Sequence, residues 1–79
     1  KSMFTIYGKA ECPMCNKLKM VFDMVGQDYE YKVLGPDYTE EQFESLFPNK
    51  LSVPQVMLGD KYIGDCNGTI NYLKEHRVI

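Results

Sequence analysis

The stretch "KAECPMCNKLKMVFDM", residues 9–24, decides the fold. Two cysteines, Cys12 and Cys15, stand one helical turn apart with Pro13 directly after the first. Before them, "MFTIYG" (residues 3–8) is rich in β-branched and aromatic residues and reads as a strand ending at Gly8. After them the period changes: Met14, Leu18, Val21, Phe22 and Val25 fall on one helical face. Pro13 suits the first helical position, where its missing N–H would have no partner anyway. Gly26 supplies the stop. The cysteine pair therefore lies at a strand-to-helix junction.

Downstream, "YEYKVLG" (residues 29–35) reads as a second strand, broken by Gly35 and Pro36. "TEEQFESLF" opens on Thr39 with Gln42 three residues on, the spacing of a capping box. Phe43, Leu46 and Phe47 give this helix its apolar face, and Pro48 ends it. Two short apolar runs, Gln55 to Leu58 and Lys61 to Ile63, flank Gly59-Asp60, which suits a type II′ hairpin. "CNGTINYLKEHRVI" then places Ile70 and Leu73 at helical spacing, with Lys74 and Arg77 near the end that favours cations. The order strand, helix, strand, helix, strand, strand, helix predicts an α/β fold. A four-stranded mixed sheet should have its first two strands parallel, an antiparallel hairpin, and three helices covering both faces.

Seventy-nine residues imply a single domain, residues 1–79, with a modest core. Lys1 and Ser2 read as additions ahead of a natural start at Met3. No apolar run is long enough to span a membrane, and no signal-peptide pattern opens the chain. A net charge of −2 without a basic stripe argues against nucleic acid or an anionic membrane as partner. Three cysteines, an odd number, do not make a disulfide framework. They fit a reducing, cytoplasmic setting in which cysteines are kept because they react.

The spacing gives the pair unequal roles. Cys12, at the helix start, faces the free N–H groups of the first turn and the positive end of the helix dipole, with Lys9 upstream. These lower its pKa and favour the attacking thiolate, toward the range of roughly 3.5–7 against about 8.5 for a free cysteine. Cys15, one turn on and nearer the buried face, is placed to resolve a mixed disulfide. Zinc is the competing reading, but the only further ligands, Cys66 and His76, lie near opposite ends of one helix, about 15 Å apart at 1.5 Å per residue. No metal is expected.

Two more segments carry information. In "SVPQV", Val53-Pro54 read alone is simply a loop stop at the start of a strand; the alternative is a cis-proline turn that leaves the Val53 backbone free to pair with a peptide. In "GDCNG" (residues 64–68), backbone N–H groups at a helix start could hold a carboxylate, and plain N-capping by Asp65 or Asn67 explains the residues equally well.

Taken together, "CPMC", "SVPQV" and "YIGDCNG" resemble, in order and across essentially the whole chain, the Cys-Pro-aromatic-Cys, Thr-Val-Pro and Gly-Gly-x-Asp-Asp segments of the glutaredoxin family. The resemblance implies a thioredoxin-like fold and thiol–disulfide exchange with glutathione as reducing co-substrate. By that resemblance, Cys12 is the nucleophile and Cys15 the resolving thiol. Lys9 meets a glutathione carboxylate, and Val53, before cis-Pro54, pairs its backbone with the cysteinyl part. Cys66 and Asn67 hold the γ-glutamyl carboxylate. Met14 replaces the family's aromatic and keeps only an apolar contact. Asp65 stands at the family's second glycine, and Asn67 and Gly68 where two aspartates often stand; Asp65 is then the candidate partner for the γ-glutamyl ammonium.

The same resemblance implies disulfide-containing or glutathionylated protein partners, ribonucleotide reductase among them, and a monomer. A thioredoxin is the nearest alternative, against which stand the absence of tryptophan and Pro-Met between the cysteines; a module sharing an iron–sulfur cluster with glutathione is another. Cys66 reads as a small helix-start residue, with a regulatory third thiol as the sharper reading. His76 reads as a solvated helix-end residue, and Glu40, Glu41 and Glu44 as a solvated helix face. The tyrosines read as packing, except that Tyr7 is placed to touch a bound peptide.

Overall fold

The computed structural model describes residues 3–76; Lys1, Ser2 and the expected helix-end cation Arg77 lie outside them. The elements are β1 (Phe4–Gly8), α1 (Pro13–Met24), β2 (Tyr29–Val33), α2 (Glu40–Leu46), β3 (Gln55–Leu58), β4 (Lys61–Gly64) and α3 (Cys66–Glu75). The sheet order is β2-β1-β3-β4. β1 runs parallel to β2, with Phe4 opposite Tyr29 and Gly8 opposite Val33. It runs antiparallel to β3, with Phe4 opposite Leu58 and Tyr7 opposite Gln55. The predicted α/β thioredoxin-like architecture is the one observed.

Each face of the sheet has its own core. Phe4, Ile6 and Gly8 of β1 are buried on one face, with Thr5 and Tyr7 half-buried on the other. On the first face Phe4, Ile6 and Val56 pack with Leu18 and Phe22 of α1 and with Cys66 and Leu73 of α3. Phe22 sits edge-on to Phe4 at 5.1 Å and to Tyr29 at 5.3 Å. The second face is aromatic. Tyr7 meets Tyr38 and Phe47, Phe47 meets Phe43 and Tyr62, and all these ring centroids lie within 5.7 Å.

Local signals explain the boundaries. Gly26, at φ +70, closes α1: its N–H reaches Asp23 O and that of Gln27 reaches Phe22 O, the paired bonds of a Schellman stop. At α2 both capping-box bonds form, Gln42 N–H to Thr39 Oγ1 at 3.1 Å and Thr39 N–H to Gln42 Oε1 at 2.8 Å. Gly59 takes φ +61 while Asp60 is not in the left-handed region, as a type II′ turn requires.

Three expectations are corrected. The inward face of α1 is Cys15, Leu18 and Phe22, and Met14 stands 43% exposed. Leu18, Val21 and Phe22 pack inward as expected, and in the first turn Cys15, also expected near the buried face, takes the inward place while Met14 points out. Leu46 is 41% exposed, since Phe43 and Phe47 already fill the aromatic face. β2 stops at Val33, before Gly35, because the Asp37 carboxylate takes the Val33 N–H at 2.8 Å and bends the chain.

The fold also fixes the loop before α1. The Gly8 carbonyl accepts from Leu34 N–H at 2.9 Å and from the Tyr38 hydroxyl at 2.7 Å. The Tyr31 hydroxyl donates to Lys9 O at 2.9 Å. A Cβ on Gly8 would fall 2.9 Å from Cys15 Sγ and into the Tyr31 ring. Gly8→Ala should therefore cost about 1–3 kcal/mol, the range for overpacking a filled site; a denaturant midpoint equal to wild type would refute this. Burial, helped by the neighbouring Tyr31 and Tyr7 phenols, pushes the Tyr38 pKa up to about 12 from 10.0. The native fold thus keeps this proton over a window in which the unfolded chain loses it, and stability should fall as pH rises from 10 toward 12. Tyr38→Phe should lose about 1 kcal/mol at neutral pH with the hydrogen bond, and its alkaline decline should be shallower. Parallel stability–pH curves for the two proteins would contradict the assignment.

Candidate active site

The loop from β1 to α1 delivers Cys12 as the N-cap residue of the helix. Glu11, just before it, takes φ +54, a conformation that side chains rarely adopt and that here turns the chain into the helix. Pro13 occupies the first turn without an N–H to satisfy. The first-turn N–H of Cys15 donates to Cys12 Sγ at 3.2 Å. The two Cα atoms are 5.2 Å apart and the sulfurs are joined as a disulfide, within the span such a bond needs. The expected asymmetry is present but narrow: Cys12 is 4% exposed and Cys15 0%. What separates them is access. Cys12 lines a cleft of about 570 Å³, and Cys15 is not among its walls.

That cleft gathers part of the expected set. Lys9, Met14 and Val53 line it with Cys12. The Val53-Pro54 peptide bond is cis, and Pro54 is buried, so the loop-stop reading gives way to the turn that the family resemblance implies. Among the described residues no backbone bond engages the N–H or C=O of Val53. The start of α3 is a separate feature: Asp65, Cys66 and Asn67 are not walls of the cleft. Asp65 caps α3, its Oδ1 accepting Gly68 N–H at 2.9 Å. Cys66 is buried in the first core, and burial pushes its thiol pKa up, opposed by Lys17 and reinforced by Asp65. It stays a protonated core residue. Asn67 is exposed.

Tyr7, expected near a bound peptide, lies in the aromatic core away from the Cys12 cleft and borders a smaller one beside Lys32 and Gln42. His76, at the C-cap of α3, stacks on Tyr72 at 4.0 Å. Among the described residues no three His, Cys, Asp or Glu side chains gather as metal ligands, and no helix is long and apolar enough to cross a membrane.

Four site-supporting residues escaped the sequence reading. Tyr31 and Tyr38 hold the loop at Lys9 and Gly8. Gln55, 3% exposed, spans the turn before cis-Pro54: its Nε2 donates to Ser52 O at 2.9 Å and its Oε1 accepts from the Tyr62 hydroxyl at 2.6 Å. The one available signal was an isolated glutamine opening the apolar run "PQVML"; a polar side chain there has to find partners.

The arrangement supports thiol–disulfide chemistry: a bonded cysteine pair at a helix start, one sulfur on a cleft, and a backbone edge facing it. The Glutaredoxin family model matches residues 4–63. Glutaredoxin 1 of Rickettsia prowazekii is 32% identical over 76 residues, covering 92% of this chain and 79% of its own. In fold, the chain superposes on reduced Escherichia coli glutaredoxin with a TM-score of 0.82 at 20% identity, covering 98% of this chain and 99% of the other. A buckwheat glutaredoxin–glutathione complex matches with a TM-score of 0.79 at 21% identity, covering 98% and 73%. The matched span runs from the first strand through the cysteine pair and the cis-proline turn into the hairpin, so the chain belongs to the glutaredoxin family of thiol–disulfide oxidoreductases.

Proposed function

We propose that the protein reduces protein disulfides and protein–glutathione mixed disulfides through Cys12 and Cys15, with glutathione as the electron source. One observation carries the reading: Cys12 Sγ accepts a first-turn N–H and opens on a cleft that also holds Lys9 and the Val53 backbone before cis-Pro54. Donors at that sulfur favour the thiolate, which is the nucleophile.

In the dithiol route the Cys12 thiolate attacks one sulfur of the substrate disulfide. That S–S bond breaks, and one substrate sulfur leaves as a thiolate and takes up a proton. The Cys15 thiolate then attacks Cys12 Sγ, releasing the second substrate thiol and leaving the Cys12–Cys15 disulfide. The protein has supplied two electrons. Two glutathione molecules restore it: the first attacks Cys12 and frees Cys15, and the second takes the first away as oxidised glutathione. With a glutathionylated protein, Cys12 attacks the glutathione sulfur and a second glutathione completes the cycle without Cys15.

For glutathione itself, Lys9 is proposed to meet one carboxylate, Met14 to give apolar contact, and Val53 to pair with the cysteinyl backbone. The N–H groups of Cys66 and Asn67 would take the γ-glutamyl carboxylate. Since Oδ1 of Asp65 already caps α3, its other oxygen is the one proposed to meet the γ-glutamyl ammonium. A reductive, cytoplasmic role as a monomer, with ribonucleotide reductase as one electron acceptor, completes the proposal.

Cys12→Ser should abolish all reduction in a glutathione-reductase-coupled assay. Cys15→Ser should keep reduction of glutathionylated peptides and lose that of protein disulfides; equal loss of both would overturn the assigned roles. Activity with thioredoxin reductase but none with glutathione would overturn the choice of electron source. Tyr62→Phe leaves the buried Gln55 Oε1 without its donor, at a cost of about 1–3 kcal/mol. It should raise KM for a glutathionylated peptide more than it lowers kcat, because the turn carrying Val53 loosens while the cysteines stay in place. A fall in kcat alone would argue against that coupling.

A further inference from the structure

The cleft has walls beyond those proposed to hold glutathione, and Met14 is shared between the two. Leu51, 99% exposed, and Met14, 43% exposed, both line the cleft. Leu34 and Phe43 add to the apolar lining. An apolar groove thus begins at the reactive sulfur. Its charges are distributed unevenly. Glu40 and Glu44, four residues apart on α2, both face the cleft. The two lining lysines belong to other segments: Lys9 shares the β1–α1 loop with Glu11, and the Lys50 ammonium lies over the Tyr62 ring at 5.5 Å. The α2 wall is therefore acidic.

We propose that this groove selects protein substrates whose reacting cysteine is flanked by an apolar residue and a nearby lysine or arginine. The inference rests on the disulfide-reductase reading and adds the substrate class. Its logic is covalent. Once Cys12 is bonded to a substrate sulfur, the residues on either side of that cysteine must lie along the cleft. There Leu51 and Met14 gain cover from water, and Glu40 and Glu44 meet a cation or repel an anion. Glutathione, with two carboxylates and one ammonium, gains nothing from the acidic wall. The wall thus favours a cationic protein segment over the small reductant at the same sulfur.

The test uses the whole reduced protein and three otherwise identical peptides, each joined at its cysteine to 2-mercaptoethanol and each with leucine beside the cysteine. Lysine, glutamine or glutamate stands two residues further on. The expected order of second-order rate constants for single-turnover reduction is lysine, glutamine, glutamate, with a lysine-to-glutamate ratio of about tenfold at low salt that shrinks as salt screens it. E40Q/E44Q should slow the lysine peptide and speed the glutamate peptide, and opposite movements cannot come from misfolding. Leu51→Ser should lower all three rates by a similar factor. A wild-type ratio within about twofold, or a ratio that the double variant leaves unmoved, overturns the selectivity while the reductase reading stands. Failure to reduce even the glutamine peptide overturns both.

Discussion

The structure depends on the crowding around Gly8. Its carbonyl takes two donors, the Leu34 N–H and the Tyr38 hydroxyl, and its missing side chain is the space in which Cys15 Sγ and the Tyr31 ring sit. One residue thereby ties the end of the central strand to β2, to the approach of α2 and to the cysteine pair. A buried carbonyl with two good donors is costly to move. The loop beyond it, with Lys9 held by Tyr31, has little freedom, and Cys12 is delivered to one place at the helix start. The reactive sulfur is positioned by backbone that the sheet has already fixed.

Much of this was legible because local chemistry and global fold agree. The change from a period of two in residues 3–8 to a helical period after Pro13 marks the β1–α1 junction, and the bonds at Thr39, Gln42 and Gly26 form where the residue types call for them. What was not legible depended on contacts across the chain. Periodicity placed Met14 inward because methionine is apolar; the structure leaves it 43% exposed, and Cys15 beside it is the first-turn residue that is buried. Leu46 fits a helical stripe as well as Phe43 does, and only the aromatic face, already full, excludes it. The roles of Tyr31, Tyr38 and Gln55 are hydrogen bonds spanning loops, which residue type and spacing do not encode.

The site was legible in a similar way. The cysteine pair and its place at a helix start came from spacing. The cis form of Val53-Pro54 did not, since the residues alone favoured an ordinary loop stop and only the joint likeness of three segments to a family pointed to the turn. The start of α3 shows the limit of carrying a family pattern over. Asp65 spends one carboxylate oxygen on the helix cap, and Cys66 is taken up by the core. Side chains in that segment serve the fold first, which leaves backbone N–H groups as its main resource for an anion.

The hydrogen bond from Cys15 N–H to Cys12 Sγ bears on more than attack. A donor aimed at sulfur is worth more when that sulfur is charged than when it is bonded to a neighbour. It therefore stabilises the reduced, thiolate state relative to the disulfide and makes the pair a weaker reductant than it would be without the donor. The same donor makes Cys12 a better leaving group when the second glutathione takes the first away from it, so it speeds regeneration of the dithiol while it moderates driving force. A pair with these properties gains less from reducing strength than from rapid exchange, and rapid exchange profits from a cleft that holds the partner chain in register.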